Sequence, residues 1–283
     1  MTELSINYNT CITCGKCIRV CPASIFYRTP DAEEVKTQNE SACIRCGHCV
    51  AICPADSVIH NYFPPEKVHM IDSAILPTAG QLDVLIKARR SNRAFSSKSV
   101  PKDHLEQILE AAHRAPTASN GREVSFTVVT HPDKLKFISA YTMEALSKMI
   151  RAANRLKPLL KLFRPDLVAL IPMMEARKKA FYEGRKDTVL RGARAVIFFH
   201  TPEAARFGKE DANLAYQNAS LVAESLGVAQ FYTGYVCSVK NKQGLCRELG
   251  ITGEIYAGMA LGIPAFRFEK YIDKEPVKVN WVE

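Results

Sequence analysis

Two stretches of this chain repeat one spacing of cysteines, and nothing else in the sequence restricts its fold as tightly. Cys11, Cys14, Cys17 and Cys21 are followed by Pro22, and Cys43, Cys46, Cys49 and Cys53 by Pro54. Each set reads C-x2-C-x2-C-x3-C-P, and the second lies 32 residues after the first. Of ten cysteines only Cys237 and Cys246 fall outside these runs. Met1-Thr2-Glu3-Leu4-Ser5 has no basic region leading into an apolar core, so no signal peptide is expected. Thiols in a chain that is not exported are reduced groups or metal ligands rather than disulfides, and the expected location is cytoplasmic.

The spacing has a chemical reason. Three cysteines in C-x2-C-x2-C wrap a loop so that three thiolates reach three corners of one Fe4S4 cube, and the fourth points to the neighbouring cube. Cluster one then takes Cys11, Cys14, Cys17 and Cys53, and cluster two takes Cys43, Cys46, Cys49 and Cys21. Gly15 and Gly47 permit the tight turns that bring amides toward sulfide. Structural zinc also uses paired C-x2-C. It does not explain a third cysteine at x2 and a fourth at x3-C-P, twice. His48, between two ligands, reads as a surface residue. The segment resembles a bacterial-type two-cluster ferredoxin module over residues 3–62, which implies single-electron transfer to or from a group held elsewhere.

A second domain follows. Apolar residues at 47% and charged residues at 24% exclude wholesale disorder, and no stretch of about 18 uncharged apolar residues predicts a membrane-spanning helix. The expected division is a cluster domain at 1–62, a Pro- and Gly-containing linker at 63–80, and a larger domain at 81–283. Leu82, Leu85 and Ile86 stand at helical spacing before Arg89, Arg90, Ser91 and Arg93, a run able to cradle an anion. Further on come a helix at 102–114, a polar loop at 115–122 and a β-branched strand at 125–130. A strand at 195–200 follows, then a helix at 211–227. In that helix Leu214, Ala215, Asn218, Leu221, Val222, Ser225 and Leu226 predict a buried stripe, in the core or at a dimer interface.

In this order of elements the chain resembles the FMN-dependent nitroreductase family over residues 80–283. The matching features are helix, R-R-S-x-R-x-F, helix, A-P-[ST]-x-x-N and strand, with Leu261-Gly262-Ile263-Pro264 near the end. The resemblance implies an α+β fold, a homodimer with FMN at its interface, and exchange of the C-terminal strand at 277–282. By the same resemblance Arg89, Arg90, Ser91 and Arg93 hold the FMN phosphate and ribityl chain. Pro116, Thr117, Ala118, Ser119, Asn120 and Arg122 come from the partner subunit. Thr233 and Gly234 pass beside the isoalloxazine, with a backbone N–H for flavin N5, and Arg267 and Lys270 complete the phosphate site. Hydride leaves FMN N5, so no dedicated catalytic residue is expected; Tyr232 and Thr233 are the candidates for a proton source. Cys237 and Cys246 read as bystanders.

The net charge of +9 is not spread evenly. Residues 141–194 hold 13 basic and 5 acidic side chains, and the rest of the chain is nearly neutral. Within it, residues 141–190 form a basic helical insertion where relatives place a variable excursion over the flavin. This is a solvated lid or one that favours anionic substrates or an acidic redox partner. Nucleic acid is not expected, because few aromatics for base stacking interleave the basic residues. The expected function is an oxidoreductase passing electrons from the clusters to FMN and on to a small electron-poor substrate: a nitroaromatic, a quinone or an activated C=C bond. Its donor is a low-potential ferredoxin-like protein or NAD(P)H. The rival readings are a relay running from NAD(P)H through FMN to the clusters, and a non-catalytic electron-transfer subunit.

Overall fold

The structure, a computed structural model, describes residues 4–28 and 34–283. Its contacts divide the chain into two units, Met1–Leu76 with Ala118–Gly121, and Pro77–Thr117 with Arg122–Glu283.

The first unit is built on its repeat. β1 (Leu4–Ile6) pairs antiparallel with β4 (Val58–His60), and β2 (Phe26–Tyr27) with β3 (Lys36–Thr37). Between them lie two short helices, α1 (Lys16–Val20) and α2 (His48–Ala51). Gly15 and Gly47 start these helices at φ of 69° and 74°. That is the left-handed region where a residue without Cβ is at ease. Thr13 and Arg45 also match, each at φ of 52°. The two loops are therefore copies in backbone as well as in sequence. Leu4, Ile6, Ile25, Phe26, Val35 and Val58 form the core, with Cys11, Cys17, Cys21, Cys43 and Cys53 packed against it and Cys49 inside it.

The second unit has a four-stranded antiparallel sheet with strand order β5-β6-β8-β7. These are β5 (Ser125–Val129), β6 (Ala195–Thr201), β7 (Ala229–Tyr232) and β8 (Glu254–Gly262). Every residue of β6 is buried, as expected for a central strand covered on both faces. Ala195, Ile197 and Phe199 enter one core and Val196 and Phe198 the other, which is the two-residue period of a strand. Helices α4 (Lys102–His113) and α8 (Gly208–Ser225) cover the first face. On the second face lie α5 (Pro132–Arg155), α9 (Gly234–Ser238) and α10 (Gln243–Leu249).

The core face of α8 differs from the sequence expectation. It consists of Ala212, Ala215, Tyr216, Ala219, Ser220 and Ala223, whereas Leu214 is exposed and Asn218 donates to the Ala111 carbonyl at 3.2 Å. Small residues let this helix lie close against the sheet, so the larger aliphatic side chains sit on its flank.

α3 (Ala79–Ala88) opens the unit with a capping box, in which Thr78 and Gln81 satisfy each other's amides. It buries none of its side chains. The basic insertion is a helical excursion made of the end of α5, α6 (Lys157–Phe163) and α7 (Pro165–Tyr182). Pro158 and Pro165 stand in the first turns of α6 and α7. A proline is tolerated there but removes the N–H that would continue the preceding helix. Residues 263–283 contain no helix or strand, and Trp281 is 82% exposed. No helix among the described residues is long and apolar enough to cross a membrane.

Candidate functional site

The eight repeat cysteines line two cavities in the first unit, four to each. Cys11, Cys14, Cys17 and Cys53 face one, with about 360 Å³ of open space. Cys21, Cys43, Cys46 and Cys49 face the other, with about 330 Å³. Each cavity therefore takes three thiols from one repeat and one from the other, the crossed set that the spacing predicts. Among the described residues no three His, Cys, Asp or Glu side chains gather closely enough to hold a single ion. The thiols surround a volume instead of converging on a point, and this donor set suits a cubane cluster rather than zinc.

Amide donors reach the sulfurs unevenly. Ser57 N–H donates to Cys53 Sγ at 3.2 Å in the first cavity. Around the second, Ile25 N–H donates to Cys21 Sγ and Arg45 N–H to Cys43 Sγ, each at 3.4 Å, and His60 Nε2 lies 3.5 Å from Cys43 Sγ. Burial is the main cause that pushes the Cys49 thiol up to about 12, and the neighbouring cysteines add to it. Burial raises Cys17 as well.

In the second unit the chain leaves α3 at Arg89 in extended conformation and runs beside β7, with a parallel bridge between Ser91 and Gln230. The segment after β8 returns to the same strip: Ala265 N–H donates to the Ala94 carbonyl at 2.9 Å, and Ser96 N–H to the Ile263 carbonyl at 2.8 Å. Two cavities flank the strip. Arg90 and Asn92 face one, with Glu224, Gly227 and Arg267. Arg93 faces the other, with Arg177, Arg191, Thr233 and Gly234.

The first of these brings together residues 177 positions apart, Arg90 and Arg267. Arg90 Nη2 donates to the Lys270 carbonyl at 2.9 Å, so the Lys270 backbone belongs to this arrangement. The Nε atoms of Arg89 and Arg90 are buried and have no hydrogen-bond partner. Buried donors are nearly always satisfied, and a phosphate is the acceptor that guanidinium groups match best. The residues present thus fit the phosphate end of FMN. Burial raises the carboxyl of Glu224 above its usual range, against the pull of Arg89, Arg267 and Arg90.

At the other cavity two expectations sharpen. The Thr233 N–H is engaged with the Gly258 carbonyl at 2.8 Å. The amide available to a flavin nitrogen is then that of Gly234, whose Cα faces open space. Tyr232 donates its hydroxyl to the Tyr256 carbonyl at 2.7 Å, and burial raises its pKa. Its proton is already committed. Tyr235 instead presents its hydroxyl at the cavity, accepting from Arg177 and reaching Met174 Sδ at 3.5 Å. Arg177, Thr188, Arg191 and Tyr235 were not foreseen as site residues. The only signals were the basic run containing Arg177 and the Arg191-Gly192 step before β6.

None of residues 116–122 lines either cavity. The Ala118–Asn120 turn groups with the first unit, where Asn120 Nδ2 donates to the Ile44 and Arg45 carbonyls at 2.9 and 2.8 Å. Burial raises the Cys237 thiol, which lies 3.9 Å from Thr233 Oγ1.

Comparison with known proteins gives the family. The pattern of the Nitroreductase family matches residues 86–263, and that of a 4Fe-4S dicluster domain matches residues 3–54. The chain belongs to the nitroreductase family, and its N-terminal dicluster domain implies two 4Fe-4S clusters. An FMN reductase [NAD(P)H] of Bacillus subtilis (strain 168) is 28% identical over 183 residues, which cover 64% of this chain and 65% of that protein. A nitroreductase with bound FMN from Bacteroides fragilis superimposes with a TM-score of 0.54 at 22% identity, over 71% of this chain and 99% of that one. A BluB-like flavoprotein from Clostridium difficile 630 gives 0.55 at 18% identity, over the same shares. Likeness at these identities establishes the fold.

Proposed function

We propose that this protein is an FMN-dependent oxidoreductase that passes electrons from two 4Fe-4S clusters to a small electron-poor acceptor, a nitroaromatic, a quinone or an activated C=C bond. One observation carries the reading. A single chain has two four-thiol cavities and, in its family domain, an arginine strip with two buried guanidinium Nε atoms lacking partners. Bound FMN would supply the chemistry that joins them, since it exchanges electrons singly with clusters and in pairs, as hydride, with organic acceptors.

The chain's own residues do the holding. Arg89, Arg90 and Arg267 bind the phosphate, Ser91 and Arg93 the ribityl side, and the Gly234 amide faces the flavin ring. A partner subunit supplies Pro116, Thr117, Ala118, Ser119, Asn120 and Arg122. A homodimer accounts for two exposed apolar features, the α3 residues Leu82, Val84 and Ile86, and the tail residues Val277, Trp281 and Val282. The fused clusters take electrons from a low-potential ferredoxin-like donor.

The test is anaerobic turnover. With the clusters pre-reduced by dithionite, the holoprotein should reduce at least one nitro, quinone or enone acceptor. No turnover across such a screen, together with salt-dependent binding of a redox protein, would identify an electron-transfer subunit instead. One observation favours flow in the other direction: the Bacillus relative's name gives NAD(P)H as its reductant. Rapid flavin bleaching by NADPH, followed by cluster reduction, would establish that direction.

A further inference from the structure

The cavity beside Arg93 holds more positive charge than a bound flavin accounts for. Its volume is about 390 Å³, and Arg93, Arg177 and Arg191 all line it. The three come from separate places: the strip after α3, the body of α7, and the turn before β6. No Asp or Glu stands among its lining residues. The crowding is unfavourable as it stands, for burial first and then the charges of Arg177 and Arg93 hold the Arg191 guanidinium below its usual range. Asp187 and Tyr235 oppose this only in part. The carboxylate of Asp187 is occupied elsewhere, accepting from the Val189 and Leu190 amides at 2.9 and 3.0 Å and from Ser139 Oγ at 3.0 Å.

Arg177 is also held in place. Its guanidinium donates to the Tyr235 hydroxyl, and its own carbonyl accepts from Thr188 Oγ1 at 3.3 Å. A cation held by the Tyr235 hydroxyl, on a backbone held by Thr188, and facing an acid-free cavity is preorganised for an anion. FMN carries one phosphate, and Arg89, Arg90 and Arg267 are there to meet it. Arg93 belongs to the flavin's own strip. Arg177 and Arg191 are left over.

We propose that Arg177 and Arg191, with Tyr235 accepting from Arg177, form a carboxylate-binding subsite, so that the acceptor reduced here is an organic acid. This rests on the oxidoreductase reading for the word acceptor, but not for the binding itself. Guanidinium groups take a carboxylate in two-pronged fashion, which suits a planar acid in a pocket that also admits a ring.

The experiment uses the oxidised, FMN-loaded holoprotein and reads the flavin absorbance change on adding 4-nitrobenzoate or its neutral counterpart 4-nitrobenzamide. The wild type should bind the acid about ten- to a hundredfold more tightly, the range of charge-assisted hydrogen bonds. R177Q and R191Q should each erase most of that preference with FMN content per chain unchanged. R177K, which keeps the charge but not the fork, should retain part of it. K161Q, at an exposed lid cation, should retain it all. Equal binding of acid and amide by the wild type overturns the proposal, and so does a preference that survives both glutamine variants. R177Q or R191Q purifying without FMN also overturns it, because those guanidinium groups would then serve the flavin. A preference for the acid without reduction of either compound by the pre-reduced holoprotein supports the subsite and removes nitroaromatics from the acceptors of the oxidoreductase reading.

Discussion

His60 Nε2 lies 3.5 Å from the sulfur of Cys43, and its other ring nitrogen accepts the Tyr62 N–H at 3.2 Å. That second bond fixes the tautomer. Nδ1 is an acceptor, so Nε2 carries the proton and donates it to the sulfur. The ring is 3% exposed and packs edge-on against Tyr62 and Phe63. With the Ile25 and Arg45 amides it donates to sulfurs of the second four-thiol cavity. Donors to sulfur stabilise the more negative, reduced cluster and raise its potential. His60→Phe keeps the ring contacts and removes one donor. One hydrogen bond of about 1 kcal/mol corresponds to a fall on the order of 40 mV in cluster two, with cluster one unmoved. An EPR-monitored redox titration reads both, and an unchanged or raised second potential would contradict this role.

The crossed ligand sets make a sharper prediction about single thiols. Cys21 sits in the first repeat but faces the cavity of Cys43, Cys46 and Cys49. Cys21→Ser should therefore remove or convert cluster two and spare cluster one, reducing iron from about eight to about four per chain if the cube is lost. The surviving EPR signal should be insensitive to His60→Phe. Loss of the His60-sensitive signal on Cys53→Ser instead would mean that each repeat holds its own cluster.

Gly258 packs against Thr233, which lines the cavity beside Arg93. A Cβ there would overlap Thr233 Oγ1 and lie 3.3 Å from Phe198 Cδ1. Thr233 is held by its N–H to the Gly258 carbonyl and carries Gly234 with it. Gly258→Ala should cost about 1–3 kcal/mol of stability through overpacking. It should also weaken FMN retention at least about tenfold, since a misplacement near the flavin disturbs several contacts at once. Thermal unfolding and FMN released on dilution check the two effects. Full FMN retention would show that Gly234 does not face the ring.

α3 presents Leu82 and Ile86 at 42% and 49% exposure. Under the dimer reading these are covered by a second copy. Leu82→Glu with Ile86→Glu should halve the mass measured by light scattering and release FMN, because the flavin would lie at the interface. A monomeric wild type, or a dimer unaffected by the double substitution, would leave this face to another partner.

How much of this was legible in the sequence depends on how local each feature is. The thiol spacing and the two glycines describe two loops completely, and the backbone repeats accordingly at Gly15 and Gly47. Arg89, Arg90 and Arg93 were visible as a run, but the separation of Arg90 and Arg93 into two cavities follows from the extended strip beside β7. On α8 the core takes Ala215, with Val222 and Leu226 against it, but Leu214 is exposed where hydropathy favours it over Ala212, because close packing on a sheet favours the alanines. Arg177 and Arg191 meet only because the helical excursion folds back, and Arg177 stands in a basic run where no residue is distinguished from its neighbours. The engagement of the Thr233 amide and the Tyr232 hydroxyl depends on strand register, which no single motif states.

The central claim is that one chain carries two cubane clusters and a flavin able to exchange electrons. Anaerobic purification with iron, sulfide and FMN counted per chain, followed by optical and EPR spectra during stepwise reduction, tests it most directly. The account predicts about eight irons, about eight sulfides and about one FMN, with electrons distributing between clusters and flavin in every sample. Zinc in place of iron, or iron–sulfur clusters in a chain that binds no FMN, would contradict it.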